Sequence, residues 1–190
     1  MKFNSRRSTV MARRGMVATS QPLAATAGLR VLMDGGNAID GAVAAAAALS
    51  VVEPASTGAG GDLFALVWVD GEKRVRALNA SGRSPGAASP EELRGRGLTA
   101  VPPESACAVT VPGTVSGWAA LLDAHGTMPL SEVLEPAIGY ATEGYPVSEV
   151  ISSHWADSVP KLLAQPSGNE LLVDGRAPRP GEGMRLPELA

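Results

Sequence analysis

Residues 53–85, EPASTGAGGDLFALVWVDGEKRVRALNASGRSP, constrain the fold more than any other part of the chain. The glycine-rich corner Thr57-Gly58-Ala59-Gly60-Gly61 follows an alanine-rich segment and runs straight into an apolar stretch. Residues 62–69 carry β-branched and aromatic side chains and are too few for a free-standing helix, so they predict a strand. Asp70-Gly71 supplies the tight hairpin turn, where glycine accepts positive φ cheaply. Residues 74–79 return as a second strand, with Arg and Val alternating before Ala-Leu, so only part of it is expected to be covered. A first strand apolar on both faces needs cover on both sides, which implies layers.

The flanks read as helices. Residues 16–19 are a short apolar strand candidate, and Ser20 is placed to cap a helix over 21–33 with Pro22 in its first turn. Leu23, Ala27 and Val31 share one face of it, and Asp34-Gly35-Gly36 is a left-handed glycine stop. Asn37 caps a second helix over 38–52, with Asp40 at the positive end of its dipole. That helix is alanine-rich all round and contains Gly41, so neighbouring backbone can approach closely and a central position is expected. Pro54 stops it.

After the hairpin, residues 84–103 form a crossing rich in Pro and Gly, in which Ser89-Pro90-Glu91-Glu92 is a capping box. Residues 106–111 predict another apolar strand. Thr114 is placed to cap a helix to about 124, with Val115, Trp118, Ala119 and Leu122 on one side and His125 in the last turn. Residues 130–134 are too few to stand alone, and Pro136 is expected to open a fresh helix ending at Gly144. Ser148 caps a last helix to about 159, residues 174–181 read as loop, and 186–190 read as an opening helical turn. Adjacent helices feeding a hairpin, then more helices, fit an α/β (α+β) sandwich better than alternating βαβ units.

The totals exclude several classes. The chain has 190 residues, 45% apolar, which allows one domain with a real core over 16–190 behind a flexible basic arm over 1–15. A net charge of −3 gives no reason to expect nucleic acid as a partner. One cysteine, Cys107, makes no internal disulfide, and two separated histidines, His125 and His154, suggest no zinc site. The basic N-terminus lacks the apolar segment of a secretory signal and no run is long enough to span a membrane, so a cytoplasmic protein is expected.

Most chemical motifs lose their force in context. A phosphate-binding loop follows a strand and opens a helix, whereas these glycines follow a helix and open a strand. No G-x-S-x-G elbow is present, so a hydrolytic triad has no anchor. Cys107 lies in an apolar segment, as a small buried hydrophobe would, and Glu91 and Glu92 are explained by capping. Arg83 stands out. It follows Ser81-Gly82 at the hairpin exit and Pro85 then restrains the chain. Its planar fork can hold a substrate carboxylate there, or it is a plain surface arginine.

Five ordered blocks carry a resemblance to a known family: residues 15–54, residues 57–68 (TGAGGDLFALVW), residues 77–85 (ALNASGRSP), residues 111–148 and residues 181–190 (GEGMRLPELA). Together they resemble the N-terminal part of the large subunit of the gamma-glutamyltransferases (glutathione hydrolases). The resemblance implies an N-terminal-nucleophile hydrolase with a four-layer αββα sandwich, of which this chain holds only the first portion. It implies a precursor that cleaves itself into large and small subunits, with no metal or organic cofactor. The new N-terminal threonine of the small subunit attacks a γ-glutamyl amide, its own amine acting as base. No catalytic residue is therefore expected within this chain. Its expected partners are a small γ-glutamyl or related amide, the remainder of the large subunit and the small subunit. An inert structural or interaction subunit is the alternative.

One segment departs from the family. The glutamate-binding arginine belongs to Asp-Phe-Arg-Glu-x-Ala-Pro, and the aligned residues here are Asn79-Ala80-Ser81-Gly82-Arg83-Ser84-Pro85. Ser81 stands in the arginine's place and Arg83 two positions on, which in a continuing strand keeps the same face. Ser81 and Arg83 are thus the candidate substrate-binding residues. The acyl group is either γ-glutamyl or that of an acylase-type amide.

Overall fold

Two helices laid side by side carry the centre of the molecule. The computed structural model describes residues 8–103 and 105–190. Of the expected arm, residues 1–7 lie outside the described residues, and 8–15 are exposed and form no helix or strand. Helix α1 (Pro22–Met33) and helix α2 (Ala38–Val52) cross at glycine, where a Cβ on Gly28 would stand 2.7 Å from the carbonyl oxygen of Gly41. Small residues let the two backbones touch, as the alanine-rich pattern predicts. Gly35, at φ 105°, closes α1. The cap of α1 is Gln21, whose side chain accepts from the Leu23 amide, while the Ser20 hydroxyl donates to Glu53 Oε2 at 2.6 Å. Asn37 and Asp40 form a reciprocal capping box on α2.

The core surrounds α2, whose Val43, Ala44, Ala47, Ala48, Val51 and Val52 are buried. Helix α4 (Thr114–His125) covers it with Trp118, Leu121 and Leu122, and helix α5 (Leu130–Glu143) with Val133, Ala137 and Ala141. Three expectations are corrected in this region. Thr114 is the first helical residue of α4, not its cap, because Gly113 holds that position. Residues 106–111 form a 3₁₀ turn (Ala106–Ala108) and an extended link with no strand partner, so Cys107 is half-buried in a turn. Helix α5 runs straight through Pro136. Proline removes a single intrahelical bond there. Burying Val133, Ala137 and Ala141, one turn apart, against α2 outweighs a proline penalty of about 3 kcal/mol.

Strand β1 (Leu63–Val69) pairs antiparallel with β2 (Arg74–Ala80) in the register Leu63↔Ala80 through Val69↔Arg74. The turn is longer than Asp70-Gly71. A 3₁₀ turn (Asp70–Glu72) precedes Lys73, which takes the left-handed conformation at φ 52°. The expectation of cover on both faces also needs correction. Leu63, Ala65 and Val67 pack on the core, but Phe64, Leu66 and Trp68 are 67%, 78% and 57% exposed. Within this chain α4 covers one face of the hairpin and no described element covers the other. Residues 16–19 run extended without a strand partner.

The last third is tied back onto α2. Helix α6 (Glu149–Leu163), capped by Ser148, donates the Trp155 indole N–H to the Leu171 carbonyl at 2.8 Å. Short strands β3 (Tyr145–Pro146) and β4 (Gly183–Met184) pair, and the Tyr145 hydroxyl donates to the Val51 carbonyl at 2.8 Å. Burial pushes that phenol well above its ordinary range. Residues 174–181 are looped, as expected, but they are clamped. Both guanidinium nitrogens of Arg176 reach Glu182, at 2.8 and 2.9 Å. The Arg176 fork, then the Arg179 amide, hold the Glu182 carboxyl down to about 2. Short helix α3 (Pro90–Gly95), with Pro at its start and Ser89 as cap, has no buried residue. Among the described residues no helix is long and apolar enough to cross a membrane.

Candidate functional site

Three backbone segments meet where the hairpin ends. The Gly61 carbonyl accepts from the amides of Gly113 and Thr114, each at 3.0 Å, so the glycine corner closes the start of α4. That is a structural task, and the corner leads into a strand as the sequence order requires. The Val111 amide donates to the Arg83 carbonyl at 2.9 Å, and the Thr110 hydroxyl to Asp62 Oδ1 at 2.9 Å. The link 110–113 is thereby held between the corner on one side and the hairpin exit on the other.

The crossing works only with glycine at two points. Gly82 sits at φ 70°, and a Cβ there would overlap the Val111 carbonyl oxygen. A Cβ on Gly113 would overlap the Ala80 carbonyl oxygen. One turn along α4, a Cβ on Gly117 would stand 2.5 Å from Leu63 Cδ2. The helix therefore lies directly on the hairpin.

The outcome is an open groove of about 880 Å³ bounded by Asn79, Ser81, Arg83, Ser84, Gly113 and Ser116, among others. The structure brings both candidates, Ser81 and Arg83, to this groove, though not by strand alternation. Strand β2 stops at Ala80, and the left-handed Gly82 turns the chain between them. Arg83 is exposed and Ser81 half-buried. Among the described residues Arg83 is the sole charged one lining the groove, and its guanidinium has no partner. Such a cation at the rim of a concave surface can take a carboxylate in a paired hydrogen bond.

Two lining residues escape the sequence reading. Asn79 accepts from the Ser81 amide at 3.0 Å through its side chain, and the Ser116 hydroxyl donates to the Gly113 carbonyl at 2.8 Å. An Asn two residues before a Ser-Gly pair is a turn signature, so Asn79 could have been found. Ser116 could not, because only the crossing of two distant segments brings it there.

The gamma-glutamyltranspeptidase family model matches residues 24–190. The chain belongs to the gamma-glutamyltranspeptidase family. It is 40% identical over 184 residues to the glutathione hydrolase-like YwrD proenzyme of Bacillus subtilis (strain 168), covering 96% of this chain and 35% of that protein. Among solved structures, the gamma-glutamyltranspeptidase of Helicobacter pylori superimposes with a TM-score of 0.86 at 31% identity, over 96% of this chain and 53% of that one. Cephalosporin acylase from Bacillus halodurans gives a TM-score of 0.83 at 42% identity, over 97% of this chain and 37% of that one. The fold is that of the N-terminal-nucleophile hydrolases. The chain spans about a third of the length of the curated relatives it matches.

Proposed function

We propose that this chain is part of an amide-hydrolysing or acyl-transferring enzyme, and that the groove at the hairpin exit receives the carboxylate of its acyl substrate on Arg83, with Ser81 beside it. The observation that carries the proposal is the placement of one guanidinium, without a partner and the sole charge among the described residues of a concave surface built by backbone crossings. In this reading the nucleophile is the N-terminal threonine of the small subunit, exposed when a proenzyme of the kind the chain resembles cleaves itself. The threonine hydroxyl attacks the substrate amide carbon while its own α-amine takes the hydroxyl proton. That proton passes to the substrate nitrogen as the C–N bond breaks, and water or an amino acid then cleaves the acyl ester and returns the proton to the threonine hydroxyl.

The partners in this reading are the rest of the large subunit and the small subunit of the same precursor. The open Phe64, Leu66 and Trp68 face of the hairpin is consistent with one of them lying there. Arg83 stands two residues beyond the family's arginine, and 42% identity to an acylase exceeds 31% to a gamma-glutamyltranspeptidase. Both facts support a substrate class of γ-glutamyl and related carboxylate-bearing acyl amides, wider than glutathione alone.

Intact-mass analysis of the native gene product tests the processing step. Two chains, the smaller beginning with threonine, are expected. A single uncleaved species would favour an inert structural subunit.

A further inference from the structure

We infer that Asn79 is a positioning residue for the substrate carboxylate, acting through Arg83; this rests on the Arg83 reading above. Strand β2 makes its last ladder pair at Ala80, opposite Leu63, so the Ser81 amide has no partner in the sheet. The Asn79 side-chain oxygen takes it, at 3.0 Å, and bends the chain out of the strand. Gly82 then turns at φ 70°, and the Val111 amide fixes the Arg83 carbonyl at 2.9 Å. The segment Ser81-Gly82-Arg83 is thereby held at both ends. One end is held by a backbone amide, that of Val111. The other is held by a single side chain.

Arg83 is exposed and carries no other partner among the described residues, so its own contacts do not aim it. Its aim is inherited from the backbone on which it stands, and Asn79 sets where that backbone leaves the sheet. Losing the Asn79 acceptor frees the Ser81 amide and lets the turn relax. A displacement of about an ångström at a substrate-positioning group can cost up to roughly a hundredfold in rate. The loss falls on substrates that use the arginine and spares those that do not.

The test uses the full-length enzyme and two anilides of equal chain length, glutaryl, which ends in a carboxylate, and pentanoyl, which does not. The readout is the ratio of their kcat/KM values. The wild type is expected to favour glutaryl, and Arg83→Ala to lower the ratio at least about tenfold, as loss of a charge-assisted pair does. Asn79→Ala lowers the ratio about fivefold through KM, Asn79→Ser keeps a neutral acceptor and restores it, and Asn79→Ala adds nothing in the Arg83→Ala background.

If the wild type shows no preference, or Arg83→Ala leaves the ratio unmoved, the arginine reading falls and the Asn79 role with it. If Arg83→Ala acts but Asn79→Ala slows both substrates equally, or adds its full effect to Arg83→Ala, Asn79 is a strand stop only. The inference is then overturned while the arginine reading stands.

Discussion

The Asp40 carboxylate receives both the hydroxyl of Thr127, at 2.6 Å, and its amide, at 3.0 Å, across 87 residues of sequence. The same carboxylate takes the Asn37 amide at 2.7 Å, and the Asn37 side chain donates to the His125 carbonyl at 2.7 Å. The start of α2 is thereby pinned to the link between α4 and α5. Burial by itself would raise the Asp40 pKa. The bonds from the Thr127 hydroxyl and from the amides of Asn37, Thr127 and Met128 outweigh it and hold the group below its ordinary 3.8.

Because the folded value is the lower one, Asp40 contributes its full stabilisation above the ordinary carboxylate value. It loses that contribution as pH falls below about 4 and through the lowered folded value. Asp40→Ala leaves several buried donors without an acceptor and is expected to cost about 3 kcal/mol at pH 7. Urea unfolding at pH 7 and pH 3 checks both points. The gap between wild type and variant should narrow at the lower pH, and a gap that stays constant would contradict the assignment.

Gly82 and Gly71 make a matched pair for testing the crossing. Gly82→Ala forces a Cβ into the Val111 carbonyl at positive φ, and a cost of at least about 2 kcal/mol is expected. Gly71 has nothing within 4 Å of its Cβ position and no positive φ, so Gly71→Ala should be neutral or stabilise by up to about 1 kcal/mol. Thermal melts of the two variants should move in opposite directions, or Gly71→Ala should stay still.

Thr114 and Trp118 lie one turn apart on α4 with the hydroxyl and the indole N–H both buried and unpartnered among the described residues. An orphaned polar group weighs against folding. Replacing Thr114 by the isosteric Val removes one such group, so a rise in stability of up to about 1 kcal/mol is expected. A loss of more than that would reveal a partner for the hydroxyl.

What was legible in the chain follows the range of the forces involved. The caps at Asn37 and Ser148, the glycine stop at Gly35 and the hairpin itself rest on neighbours in sequence, and they stand where the residues place them. Pro136 misled because local propensity argues for a break, while the seat of Val133 and Ala137 on α2 is decided 80 or more residues away. Residues 106–111 misled in the opposite sense. They are apolar enough for a strand, but their backbone is spent on the 3₁₀ turn and, at Val111, on the Arg83 carbonyl, and finds no ladder.

The groove divides in the same way. Arg83 and Ser81 were visible as residues, but the turn at Gly82 between them was not, because the alignment placed both on a continuing strand. Their common destination depends on the close approach of Gly113 to Ala80, which no local pattern announces. The open face of Phe64, Leu66 and Trp68 departs from the expected two-sided cover because α4 packs on one side of the hairpin only.

The central claim is that the Arg83 fork holds the acyl carboxylate, and the kinetics of the full-length enzyme with Arg83→Lys test it most directly. Lysine keeps the charge but loses the bidentate geometry. With a γ-glutamyl anilide and a glutaryl anilide, kcat/KM should fall about tenfold or more for whichever substrate the wild type turns over, chiefly through KM. Values equal to wild type for both substrates would contradict the account.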